Sequence, residues 1–132
     1  MEKVKPSKKH TVLIIEDSLD FSNLLKFVVE DEGLEGIQFP VTETDVVSWA
    51  IKHKPVLILT DLALRKKGGL EYIKDLQADP LTKKIPIAIV SGRDLGHKEV
   101  LELEVQGVKY FRKGRVDMSD IRDEIRRCIP SQ

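Results

Sequence analysis

An α/β fold, with a parallel sheet covered by helices on both faces, follows from three observations. The chain carries short apolar runs rich in β-branched residues, amphipathic helical patterns lie between them, and the strand-helix unit repeats five times in order. The clear runs are Thr11 to Ile15, Val56 to Thr60, Ile85 to Val90 and Val108 to Phe111. The first three lack the polar alternation of a strand with one face in water, so both of their faces are expected to be buried. A fifth and weaker run, Gly36 to Pro40, belongs nearer an edge.

The helices are read from periodicity and end signals. Phe21, Leu24, Leu25, Val28 and Val29 recur at i, i+3, i+4, i+7 and i+8, with Ser18 as N-cap and Gly33 as the stop. Val46, Trp49, Ala50 and His53 mark a second helix, which Thr42 is expected to introduce, with Asp45 three residues later completing a capping box. Leu70, Ile73, Leu76 and Gln77 mark a third, ending near Asp79 and Pro80. Asp94 is expected to cap a fourth that runs to Gly107. The apolar residues of this helix, Val100, Leu101, Leu103 and Val105, are smeared around it, which makes it the least firmly anchored. Met118 to Ile129 forms the fifth, closed by Pro130. Cys128 falls in phase with Met118, Ile121 and Ile125, the position of a packing thiol rather than a reactive one.

Composition bounds the rest. With 132 residues, 41% of them hydrophobic and 33% charged, the chain suits one soluble domain over residues 11–130 and leaves little for a separate output domain. Acidic and basic residues balance at 22 each, so no overall field draws the protein to nucleic acid or to an anionic membrane. Residues 1–10 carry four lysines against one glutamate and are expected to form a basic, flexible tail. A single cysteine, no signal-peptide pattern and no apolar stretch of membrane-spanning length together indicate a reducing, cytoplasmic location.

Open sheets of this kind bind ligands outside the carboxyl ends of their strands. Glu16 and Asp17 follow the first strand, Asp61 the third, Ser91 the fourth and Lys113 the fifth. Each alone is most simply a helix cap or a solvated charge; together, topology sends them to one rim. Three carboxylates in a small site repel unless a cation is present, and an oxygen-only set with few protein ligands favours Mg²⁺. Lys113 adds a compact positive charge and Ser91 a hydroxyl donor. This chemistry suits in-line transfer of a phosphoryl group to a carboxylate. Asp61 is the natural acceptor, because its strand reads as the most central.

These residues, in this order, resemble the response-regulator receiver family of two-component signalling over nearly all of Thr11 to Ile129. The matching features are the pair Glu16-Asp17, Asp61 within Ile58-Leu-Thr-Asp-Leu, Gly69-Leu70, Ser91-Gly92 and Lys113. The resemblance implies a flavodoxin-like (βα)5 sheet of strand order 2-1-3-4-5. It implies phosphorylation of Asp61 by a sensor histidine kinase or phosphotransfer protein, and self-catalysed dephosphorylation. Mg²⁺ would be held by Glu16, Asp17, Asp61 and the carbonyl of Ala63, with Asp61, Lys113 and Ser91 acting on the phosphoryl group. Ser91 and Tyr110 would be switch residues, altering a face read by a downstream protein or by a second copy of the chain. On this reading the domain binds neither nucleic acid nor membrane and is a regulatory phosphoacceptor, not an enzyme with a free substrate.

Two departures stand out. The loop after the acceptor reads Leu64-Arg65-Lys66-Lys67, where such domains commonly carry Met-Pro, and its charge either is simply solvated or attracts a phosphodonor. Lys113 is followed by Gly114 rather than proline, so a trans bond is expected there, since a non-proline cis bond costs about 2.5–4 kcal/mol. Arg93 either faces solvent or guards the phosphoryl group. The competing reading is a pseudo-receiver that binds partners without phosphorylation. A mononucleotide binder or phosphohydrolase fits less well: the first loop lacks a glycine-rich phosphate cradle, and Ala63 stands where a second aspartate would be needed.

Overall fold

The structure is a computed structural model, and it describes residues 9–130. Most of the expected basic tail, residues 1–8, lies outside the described residues. Ten elements alternate: β1 (Thr11–Ile15), α1 (Leu19–Asp31), β2 (Glu35–Gln38), α2 (Val46–His53), β3 (Leu57–Thr60), α3 (Gly69–Ala78), β4 (Ile87–Ser91), α4 (His97–Val105), β5 (Val108–Arg112) and α5 (Met118–Cys128). The sheet is parallel in the order β2-β1-β3-β4-β5, which puts β3 at its centre and β2 at an edge, as the sequence implies.

The unbroken apolar strands have a direct structural cause. Alternate residues of each central strand feed two separate cores, one on each face of the sheet. Leu13, Ile58 and Ile89 pack with Val46 and Ala50 of α2, Ile73 and Leu76 of α3, and Leu103 of α4. Val12, Ile14, Leu57, Leu59 and Val90 pack with Leu25 and Val28 of α1 and with Ile121 and Ile125 of α5. Each fully buried Val, Leu or Ile side chain among them contributes about 1.5–3 kcal/mol relative to exposure. On the first face, Phe39 receives Trp49 and Tyr72 edge-on, with ring centroids 5.5 and 5.7 Å away.

Two expected caps are corrected. Asp45 is itself the N-cap of α2: its carboxylate accepts from the Ser48 N–H at 3.1 Å and from the Ser48 hydroxyl at 2.7 Å. Thr42 sits in the preceding turn, closed by the Glu43 N–H on the Pro40 carbonyl. Asp94 does not cap α4, because Gly96 holds that position and donates its N–H to Glu99 Oε1 at 3.0 Å. Strand β4 begins at Ile87 rather than Ile85, since the Ile85 N–H is spent on the Thr82 carbonyl and Pro86 has no N–H. Leu103 is the one buried residue of helix α4, in keeping with its smeared pattern. The Lys113–Gly114 bond is trans, and Gly114 has φ +83°, a left-handed conformation that glycine adopts without strain.

Candidate functional site

The carboxyl ends of β1, β3, β4 and β5 converge on Asp61. Pairing of Ile15 with Thr60 places Glu16 and Asp61 side by side as the two strands end. The Asp61 N–H bonds the Ile15 carbonyl at 3.0 Å, and its Oδ1 accepts from the N–H groups of Leu62 at 2.6 Å and Ala63 at 3.3 Å, which fixes the carboxylate plane. Helix α3 starts against this backbone. A Cβ on Gly69 would lie 2.0 Å from the Asp61 carbonyl oxygen, so only glycine fits there.

Lys113 bridges the two acids, donating to Glu16 Oε1 at 2.5 Å and to Asp61 Oδ2 at 3.1 Å. Its ammonium also lies over the ring of Phe21, 4.3 Å from the centroid. Phe21 reads from sequence only as part of the apolar stripe of α1; its place one turn beyond the acidic pair is the signal that marks it as a wall of the site. Glu16 Oε2 accepts the Ser18 N–H at 3.0 Å. Ser91 is fully buried; its Oγ accepts the Arg93 N–H at 3.2 Å, which leaves the hydroxyl proton free to turn toward Asp61.

The electrostatics separate the two carboxylates. Burial pushes the Asp61 carboxyl up, but the Ser91 hydroxyl, the Lys113 ammonium and the Ala63 N–H outweigh it and hold the group below the usual aspartate range. Burial dominates at Glu16 and raises it; Lys113 and the Ser18 N–H offset this only in part, and the Asp61 charge adds to it. Lys113 is pulled down by burial and more strongly raised by Glu16 and Asp61, so it stays cationic. The result is an ionised, oriented carboxylate beside a fixed positive charge.

Asp17, one of the expected site residues, makes its hydrogen bond outside this cluster: its Oδ2 accepts the Arg65 N–H at 2.6 Å. Among the described residues, no three acidic, histidine or cysteine side chains converge as a ready-made cation site. The acidic side chains at the rim nonetheless offer oxygen ligands, the kind a hard divalent ion takes. The basic loop is partly neutralised, for Lys67 pairs with Asp75 and lies 5.7 Å from the centroid of Tyr72. Arg93 has an exposed side chain, and Tyr110 donates its hydroxyl to the Arg93 carbonyl. Cys128 packs beside Glu124, and burial pushes its thiol up to about 11, which makes it unreactive near neutrality.

A parallel sheet in this order, with the acid, hydroxyl and lysine at its carboxyl rim, is the flavodoxin-like architecture of a receiver domain. The response regulator receiver domain family matches residues 12–126, and the chain belongs to it. Receiver domains are signalling modules that interact with sensor histidine kinases and downstream effectors, and the family generally binds Mg²⁺ at its phosphorylation site. The phosphate regulon transcriptional regulatory protein PhoB of Escherichia coli is 26% identical over 102 residues, covering 77% of this chain and 44% of that protein. The alkaline phosphatase synthesis transcriptional regulatory protein PhoP of Bacillus subtilis is 29% identical over 102 residues, covering 77% of this chain and 41% of that protein. The chain thus spans less than half the length of these relatives. Among solved structures, a response regulator from Desulfuromonas acetoxidans superposes with a TM-score of 0.71 at 25% identity, covering 89% of this chain and 94% of that one. The chemotaxis protein CheY4 of Vibrio cholerae shares the fold, with a TM-score of 0.75 at 18% identity and coverage of 92% and 99%. Among the described residues, no helix is long and apolar enough to cross a membrane.

Proposed function

We propose that the chain is a phosphorylation-regulated signalling module whose Asp61 accepts a phosphoryl group from a sensor histidine kinase or a phosphotransfer protein. The observation that carries this reading is the ionised Asp61 carboxylate, held by backbone N–H groups on one oxygen and by Lys113 on the other. A carboxylate oxygen forms the new bond to phosphorus as the bond from phosphorus to the donor nitrogen breaks, and the electron pair leaves with the imidazole. Lys113 offsets the charge gathered on the phosphoryl oxygens, and the Ser91 hydroxyl donates to one of them. Glu16, Asp17, Asp61 and the Ala63 carbonyl are the groups that would hold Mg²⁺. The bound ion would neutralise part of the charge as two anions meet.

The domain turns over no free substrate. It signals through protein contacts, with Ser91 and Tyr110 as the switch residues and a downstream protein or a second copy of the chain as the reader. Incubation with Mg²⁺ and acetyl phosphate, or with a matched kinase, is expected to give a base-labile species with retarded Phos-tag mobility that Asp61→Asn abolishes. No such species under either donor would sink the reading.

A pseudo-receiver that binds partners without phosphorylation is the second reading, favoured by the engagement of Asp17 with the Arg65 N–H and of Glu16 with Lys113. Mg²⁺-dependent binding of beryllofluoride at Asp61 would count against it.

A further inference from the structure

The β4–α4 connection is held from one side by the last residues of β5. Arg112 donates from Nε to the Gly92 carbonyl at 3.0 Å and from Nη1 to Asp94 Oδ1 at 2.6 Å. Tyr110, on the same face of the strand, donates its hydroxyl to the intervening Arg93 carbonyl. Three consecutive loop residues are therefore tied to one strand. The root of that loop is Ser91, whose carbonyl accepts the Lys113 N–H at 2.8 Å. One strand end thus carries both the cation on Asp61 and the clamp on the segment that supplies the hydroxyl.

The two Arg112 contacts need a planar fork that reaches a carbonyl and a carboxylate together, which a lysine ammonium does not reproduce. Asp94 is 76% exposed at its side chain, so the ion pair adds little to global stability. Its effect is on position. A phosphoryl group on Asp61 sets its oxygens beyond the present carboxylate, and because the Ser91 Oγ accepts the Arg93 N–H, a backbone shift of Ser91 toward them would carry Gly92 and Arg93 along. The fork resists that movement.

We propose that Arg112 is a positioning residue that latches the β4–α4 loop to β5 in the phosphoryl-free domain and thereby weakens binding of a phosphoryl group at Asp61. The proposal rests on the phosphoacceptor reading. A contact made in one loop arrangement and lost in the other must lower the affinity of any ligand that needs the second.

The test compares Mg²⁺-dependent beryllofluoride binding by the wild type, Arg112→Ala, Arg112→Lys and Asp94→Asn, with unfolding midpoints measured alongside. Arg112→Ala and Asp94→Asn are expected to tighten binding about 3- to 10-fold, with Arg112→Lys between them and the wild type. One substitution removes a positive charge and the other a negative one, so a simple field effect on this anionic ligand would move them in opposite directions. Shifts in opposite directions, or none, overturn the latch. Backbone amide order parameters of Gly92 to Asp94 in the ligand-free protein are expected to fall in Arg112→Ala, and unchanged values also overturn it. If no variant and no wild type binds beryllofluoride, the phosphoacceptor reading fails, and the order parameters still decide whether the latch exists.

Discussion

Replacing Gly69 by alanine tests the link between helix packing and the acceptor. In an ordinary helix this change stabilises by about 1 kcal/mol, because alanine loses less backbone entropy. Here the new Cβ would stand 2.0 Å from the Asp61 carbonyl oxygen and 2.9 Å from the Asp61 carbonyl carbon and Leu62 Cα. Those neighbours are backbone, so no side chain can swing aside, and α3 and the Asp61 segment must part by about 1 Å. Overpacking of this kind costs about 1–3 kcal/mol, and against the propensity gain a net loss of about 2 kcal/mol is expected at the upper end of that range. Urea unfolding measures it directly. An acceptor displaced by about 1 Å should also lose roughly 100-fold in phosphorylation rate from acetyl phosphate. Gly68→Ser is the comparison: its Cβ would meet Glu71 Oε1 at 3.5 Å, an ordinary contact. That variant should change stability by no more than about 0.5 kcal/mol. A Gly69→Ala protein as stable and as fast as the wild type would refute the reasoning.

Three further outcomes are expected. Lys113→Met leaves two buried carboxylates facing each other. It should cost about 1–3 kcal/mol at neutral pH, less than a fully buried pair because the lysine is partly exposed. The Asp61 carboxyl is held low in the wild type, so its contribution is present above the ordinary carboxylate pKa and is lost as pH falls through the depressed value. Carbon-13 NMR should see the Asp61 midpoint move upward in Lys113→Met; a midpoint that stays put contradicts the bridge. Iodoacetamide labelling of Cys128 should keep rising toward pH of about 11, where its thiol titrates, and a plateau near pH 9 would show an ordinary thiol. The same raised pKa means that stability declines as pH climbs from the unfolded-state value through the folded one. Glu32 is held low by Arg126 and Arg122, so Glu32→Gln should lower the urea midpoint at low salt. The deficit should shrink in about 1 M NaCl and disappear as pH falls below the carboxylate range.

Much of the fold could be read along the chain because its determinants are local and periodic. Thr11 to Ile15 forms β1 with those bounds, and Ser18 caps α1 through a hydrogen bond to the Phe21 N–H. The central place of β3 and the edge place of β2 follow from how far each run is apolar. Caps were harder where two acceptors compete within a few residues. Asp45 wins over Thr42 because both its oxygens find Ser48. Asp94 is drawn away from α4 by a guanidinium 18 residues onward, a partner that no local pattern reveals. At the rim, topology alone brought Glu16, Asp61 and Lys113 together, whereas the turn of Asp17 toward Arg65 depends on how the α3 loop settles. Gly69 was legible only as part of the Gly69-Leu70 pair; its close approach to Asp61 is visible only in three dimensions.

The edge-on packing of Trp49 against Phe39 has an experimental consequence. Trp49 is the chain's single tryptophan, and it lies in the layer of α2 and α3, not at the acidic rim. Its emission therefore tracks the integrity of one half of the core, while the carboxylate resonances track the rim. Disagreement between the two signals during titration or denaturation would reveal which half of the molecule yields first, with no label added.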